Sequence, residues 1–132
     1  MPITTSTRST DGFDSTIAVR SFSFELDATG ESAPNTLESL VGTYAACYVP
    51  ALRVAADKHE IEDLGTVQID TTGELNDDDK LASVTFDIST EGSLDEETAV
   101  KIVEDANRLC KVHAALREDL HATVILDGHE AN

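Results

Sequence analysis

The sequence has no tryptophan, one methionine, two tyrosines and four phenylalanines, so aromatic rings can supply only a small number of core positions. The interior has to be assembled from Ala, Val, Leu and Ile. Positive charge is equally scarce: 9 Lys+Arg stand against 26 Asp+Glu, for a formal net charge of −17 at pH 7 and a pI near 4.2. The five Arg and four Lys are scattered through acidic sequence. That argues against nucleic-acid binding, because phosphate backbones are held by clustered cations, and it disfavours an anionic membrane surface for the same reason. No apolar run approaches the roughly 20 residues of a membrane span. The start, Met1-Pro2-Ile3-Thr4-Thr5-Ser6-Thr7-Arg8, is polar rather than signal-like, and a cytoplasmic protein is expected. With only two cysteines, Cys47 and Cys110, 63 positions apart, a disulfide-stapled secreted scaffold is excluded.

What is present is a chain of 132 residues, 40% of them apolar, a length that suits one domain burying about two thirds of its unfolded surface. Residues 1–14, rich in Ser, Thr, Asp and Gly, are expected to be a weakly ordered N-terminal segment or a first weak strand, with residues 15–132 as a single domain. The acidity could signal disorder, but the apolar residues fall into periodic blocks that a disordered chain lacks. A folded protein adapted to high salt fits both facts. At molar salt the Debye length shrinks to about 3 Å and self-repulsion becomes tolerable.

The periodicities predict an α+β fold. Ile17, Val19, Phe22, Phe24 and Leu26 alternate with polar residues over Thr16 to Leu26, reading as one strand with a bulge or bend at Arg20-Ser21. Asn35 with Glu38 makes a capping box ahead of a helix whose apolar positions include Leu37, Leu40, Val41, Tyr44, Tyr48 and Leu52, with a second stripe through Cys47, Ala51 and Val54. Apolar stripes on more than one side predict a central, buried helix. Pro50 predicts a kink or break just after Cys47. Thr66 to Leu75 and Leu81 to Ser89 read as a hairpin closed by the acidic turn Asn76-Asp77-Asp78-Asp79, which lacks the spacing of a calcium loop. Ser93-Leu94-Asp95-Glu96 offers a second capping box, followed by Ala99, Ile102, Val103, Ala106, Leu109 and Cys110 on one helix face. His121 to Leu126 reads as a last strand, with Asp127-Gly128 ending the fold.

Few residue patterns carry chemistry. There is no phosphate-binding loop, dinucleotide fingerprint or serine-nucleophile elbow. Cys110 and His113 stand at i, i+3, but His59, His121 and His129 are isolated, so no metal is expected. Each long helix carries one cysteine on an apolar face, and packing those faces together could bring Cys47 and Cys110 into contact. The pair is then either two buried, inert residues or a working redox couple, the latter requiring something nearby that stabilises a thiolate. Arg20, Arg53 and Arg108 are the cations near these elements.

The segment Ala33-Pro34-Asn35-Thr36-Leu37-Glu38-Ser39-Leu40 through Tyr44-Ala45-Ala46-Cys47-Tyr48, and the helix that ends in Cys110 followed by Val112 and Leu116, resemble the family of osmotically induced protein C and the organic hydroperoxide resistance proteins. The resemblance covers nearly the whole chain. It implies antiparallel sheets wrapped around two long central helices in an intertwined homodimer, and a thiol peroxidase that reduces organic hydroperoxides without a cofactor. Carried over by position, Cys47 would be the peroxidatic thiolate and Cys110 the resolving thiol, with a dihydrolipoamide-like dithiol as reductant. Arg20, with Arg8 as second choice, and Glu38 would activate the thiolate. Phe22, Leu40, Tyr44 and Tyr48 would line an apolar substrate pocket. One departure is that Leu37 occupies the position, ten before the first cysteine, where the hydroperoxide-resistance branch carries glutamate. A non-catalytic module that binds a small ligand or senses redox state is the alternative on the same scaffold.

The charge balance makes a prediction independent of the site. The thermal midpoint followed by circular dichroism should fall on dialysis from molar KCl into dilute buffer, as screening of the 26 carboxylates is withdrawn; an unchanged midpoint would mark an ordinary acidic protein.

Overall fold

In the computed structural model, which describes residues 1–131, the chain resolves into two compact units, residues 1–40 and 41–132. The first unit is a three-stranded antiparallel sheet in the order β1 (Ser6–Arg8), β2 (Asp14–Val19), β3 (Phe22–Asp27). Of the two expectations for residues 1–14, a weakly ordered segment or a first weak strand, the strand is found, as the three-residue β1. The strand expected across Thr16 to Leu26 is instead two strands, with Val19 paired to Phe22 and Arg20-Ser21 as a two-residue turn. Arg20 takes φ 55° there, as tight hairpins require of a central residue. Alternation continues on both sides of such a turn, so periodicity alone cannot tell it from a bend. Asp27 closes the unit. Its carboxylate accepts from the amides and hydroxyls of both Thr29 and Ser32 at 2.8–3.0 Å, which orders the approach to the first helix. Those donors, the Ser32 amide foremost, hold the carboxyl well below its usual range.

Helix α1 (Thr36–Lys58) starts in the first unit and continues through the second. Its start is the reciprocal capping box read from the sequence: the Asn35 amide donates to Glu38 Oε1 and the Glu38 amide to Asn35 Oδ1, both at 2.8 Å. Of the kink or break expected after Cys47, the break does not occur, and α1 runs on through Pro50. Pro50 cannot donate to the carbonyl four residues back, but Tyr48, Ala51, Leu52, Ala55 and Ala56 around it are buried. Tertiary packing carries the helix across the missing bond.

The second unit holds a four-stranded sheet in the order β4 (Val67–Leu75), β5 (Leu81–Thr90), β6 (Thr123–Leu126), β7 (His129–Glu130). The β4–β5 hairpin follows the predicted boundaries closely, and Asn76 Oδ1 orders its acidic turn by accepting from the Asp78 and Lys80 amides. Two expectations are corrected here. The sheet is mixed rather than antiparallel, because β6 pairs parallel to β5 after a helical crossover. The chain also does not end its fold at Asp127-Gly128: these residues, at φ 50° and 86°, form the turn that returns β7 antiparallel to β6.

The crossover comprises α2 (Glu96–Leu109), α3 (Lys111–Ala115) and a single 3-10 turn, Glu118–Leu120. Its N-cap is Asp95, accepting from the Thr98 amide at 2.9 Å, rather than the expected Ser93. Either residue type can cap, and the side chain adjoining the first helical residue does so. The core joins one stripe from each element: Tyr44, Tyr48 and Leu52 of α1; Val84, Phe86 and Ile88 of β5; Ala99, Ile102, Val103 and Ala106 of α2; Val124 and Leu126 of β6. Each fully buried aliphatic or aromatic side chain contributes about 1.5–3 kcal/mol. Among the described residues no helix is long and apolar enough to cross a membrane.

Asp127 ties the end of β5 to the entry of α2, accepting from the Thr90 amide, the Thr90 hydroxyl and the Leu94 amide at 2.6–2.8 Å. Asp127→Ala should cost about 1–3 kcal/mol in a denaturant titration, since it strands buried donors; a loss within a few tenths would show that water replaces the carboxylate without penalty.

Candidate functional site

The two cysteines meet in the second unit. Cys47 projects from α1 and is partly exposed, whereas Cys110 is buried at 1% exposure. Both are free thiols, and each influences the titration of the other as a hydrogen-bonding neighbour. Their meeting follows from the apolar faces of α1 and α2, which share one core with β5.

Cys110 sits at the junction of two helices. Its amide donates to the Ala106 carbonyl, closing α2, while its φ of −73° and ψ of 114° take it out of helical geometry. It then serves as the N-cap of α3, its carbonyl accepting from the Ala114 amide at 3.1 Å. The first amides of α3 consequently have no partner within the helix. The Val112 amide donates toward Cys47 and is the main cause of a lowered thiol pKa there. Partial burial opposes it, while the Cys110 thiol, the Lys111 amide and the Lys111 ammonium reinforce it. Cys110 shifts the other way. Burial pushes its thiol up, the His113 amide works against that, and the neighbouring Cys47 adds to the rise. One sulfur is thus poised to ionise and the other to stay protonated.

The remaining residues named from the sequence fall in two groups. Tyr44 and Tyr48 lie in the core of the second unit at 1% and 0% exposure, each with its hydroxyl engaged. Tyr48 donates to Asn107 Oδ1 at 2.8 Å, and Tyr44 pairs with His113 Nδ1 at 2.6 Å. Burial raises the pKa of both phenols. Arg20, Phe22, Glu38 and Leu40 belong to the first unit. Arg20 stands over the Phe22 ring at 5.0 Å from its centroid, a cation–π contact. Glu38 is occupied in the α1 capping box, and Phe22 is 61% exposed. Arg8 lies in β1.

Residues with little or no signal in the sequence complete the site. His113 was legible only as a stray partner of Cys110, yet its ring bonds Tyr44 and stacks on His121 at 3.7 Å between centroids. The Val112 amide carried no sequence signal, because every non-proline residue has one.

Comparison with known proteins places the chain by family and fold. A family model described as OsmC-like protein matches residues 28–124. An uncharacterized protein of Haloferax volcanii is 44% identical over 126 residues, covering 96% of each chain. Among solved structures, an OsmC like protein from Mycoplasma pneumoniae superimposes with a TM-score of 0.77 at 16% identity, over 96% of this chain and 97% of that one. The organic hydroperoxide resistance protein OhrB of Bacillus subtilis gives 0.71 at 22% identity, over 96% and 98%. These two likenesses establish a shared fold.

The opposed shifts predict distinct titrations. In alkylation by iodoacetamide, Cys47 should reach its half-maximal rate at a lower pH than an ordinary cysteine does, and Cys110 at a higher one. Peptide-resolved mass spectrometry across pH reads both midpoints, and coincident midpoints would contradict the assignment.

Proposed function

We infer the activity of this chain from one premise, that it belongs to the OsmC-like protein family, together with the meeting of two thiols of opposite acidity. The reading is a thiol-dependent peroxidase that reduces organic hydroperoxides. The Cys47 thiolate attacks the terminal oxygen of the hydroperoxide, the O–O bond breaks, and the alkoxide leaves as an alcohol on taking a proton. Cys47 is left as a sulfenic acid. Cys110 then attacks that sulfur, an S–S bond forms, and the sulfenic oxygen departs as water with the proton that Cys110 gives up. An external dithiol restores both thiols by exchange and is itself oxidised to a disulfide.

The observation that carries this reading is the division of labour between the sulfurs. A peroxidatic thiol must be ionised and reachable, and Cys47 is partly exposed with backbone amides aimed at it. A resolving thiol must be near yet hold its proton until the first step is over, and Cys110 is buried beside Cys47. The Bacillus subtilis neighbour, an organic hydroperoxide resistance protein, supports the substrate class. The reading includes a homodimer: Phe13, Phe22 and Phe24 are 72%, 61% and 47% exposed, an apolar surface that suits cover by a second copy.

Free-thiol counting after one equivalent of an alkyl hydroperoxide tests the mechanism. The expected result is rapid loss of both thiols into a Cys47–Cys110 disulfide, a sulfenic acid trapped on Cys47 in Cys110→Ser, and no peroxide consumption by Cys47→Ser. Survival of both thiols in the parent protein would overturn it.

A further inference from the structure

The five-residue helix α3 supplies the amides that favour the Cys47 thiolate, yet none of its residues is fully buried, and Val112 is its one apolar side chain packed, half-buried, against the core. A helix so short has little stability of its own, and something else must hold its first turn in place. Tyr44 and Cys47 stand at i, i+3 on α1 and share a face. Lys111, Val112 and His113 follow one another at the start of α3. The amides near Cys47 and the ring bonded to Tyr44 therefore come from adjacent residues, and the two helices touch at two neighbouring points.

The Tyr44–His113 contact has a defined sense. The Tyr44 hydroxyl accepts from the Ala122 amide at 3.0 Å and lies 2.6 Å from His113 Nδ1. Donation to Nδ1 uses the single hydroxyl proton. Donation the other way would leave that proton unpaired in a side chain that is 1% exposed, which burial disfavours. His113 is thereby assigned as neutral imidazole with its proton on Nε2. Burial and the neighbouring His121 both lower its pKa, which favours the same state. His121 backs the ring at 3.7 Å and is itself anchored by Nε2 to the Leu116 carbonyl at 3.2 Å.

We propose that His113 is a positioning residue for Cys47: by accepting the Tyr44 hydroxyl proton at Nδ1 it latches the first turn of α3 to α1 and keeps the Val112 and Lys111 amides trained on the Cys47 sulfur. The proposal rests on the reading of Cys47 as the reactive thiol and deepens it.

The test is the pH profile of Cys47 alkylation by iodoacetamide in the reduced full-length protein at high salt, read by peptide-resolved mass spectrometry, for the parent chain, His113→Phe, His113→Asn and Tyr44→Phe. His113→Phe and Tyr44→Phe should move the midpoint upward. Alkylation well below the midpoint should slow by about tenfold for each pH unit of that rise. His113→Asn, whose Oδ1 can stand where Nδ1 does, should keep the parent midpoint. An unmoved midpoint in folded His113→Phe would overturn the proposal, as would equal rises in the Phe and Asn variants. Should His113→Phe fail to fold, an unmoved midpoint in Tyr44→Phe overturns it instead. Iodoacetamide is no peroxide, so the latch is read whether or not the chain consumes hydroperoxide, and failure of one reading is distinguishable from failure of the other.

Discussion

One residue outside helical geometry governs the arrangement of the site. Cys110 ends α2, spends one residue in extended conformation and caps α3. That interruption places a thiol at a helix junction and releases the first amides of α3 from intrahelical bonding. Had the helix continued, the Val112 amide would be spent on a carbonyl four residues back and would have nothing to offer Cys47. Beyond α3 the chain passes through the 3-10 turn to β6, which pairs parallel to β5.

In a chain of net charge −17 a thiolate needs support from somewhere, and clustered cations are not the source. The largest favourable influence on Cys47 is a backbone amide, with the Lys111 charge last in order. Backbone dipoles carry no net charge, need no counter-ion and are screened by salt far less than exposed side-chain pairs. The ion pairs at the surface are mostly local ones, such as Lys101–Glu97 and Arg108–Glu104 at i, i+4, and such pairs contribute little. Better buried is the bridge between His59 and Asp105 at 2.8 Å, shared with Arg108, which holds the Asp105 carboxyl below its usual range and ties the end of α1 to α2.

Membership of the OsmC-like family and the local geometry bear on different questions. The family and the structural neighbours account for the fold. What this chain can do with it follows from two sulfurs whose surroundings push their acidities apart, a pattern typical of sites where one group must react and the other wait. The ring stack of His113 on His121, and the Tyr44 hydroxyl bonded to it, are built from this chain's own residues around that pair.

Much of the fold was legible in the sequence because its signals are short-range. The Asn35–Glu38 box, the 3.6-residue stripe of Ala99, Ile102, Val103 and Ala106, and the alternation of β4 and β5 each depend on neighbours within a turn or a hairpin. The two cysteines stood out by scarcity alone. The hairpin at Arg20-Ser21 and the turn at Asp127-Gly128 were misread because a bend, a turn and an end leave similar local patterns. Continuity of α1 through Pro50 was decided by the core around it, which no local rule can see. The site belonged to tertiary structure almost entirely. Tyr44 and His113 are 69 positions apart, Tyr44 and Ala122 are 78, and the Val112 amide acts on the acidity of Cys47 only because the fold brings the two together. Sequence by itself determined which residues could carry thiol chemistry, since side-chain identity is local. Only the tertiary structure decided which thiol is the more acidic, because acidity is set by neighbours that the chain must fold to assemble.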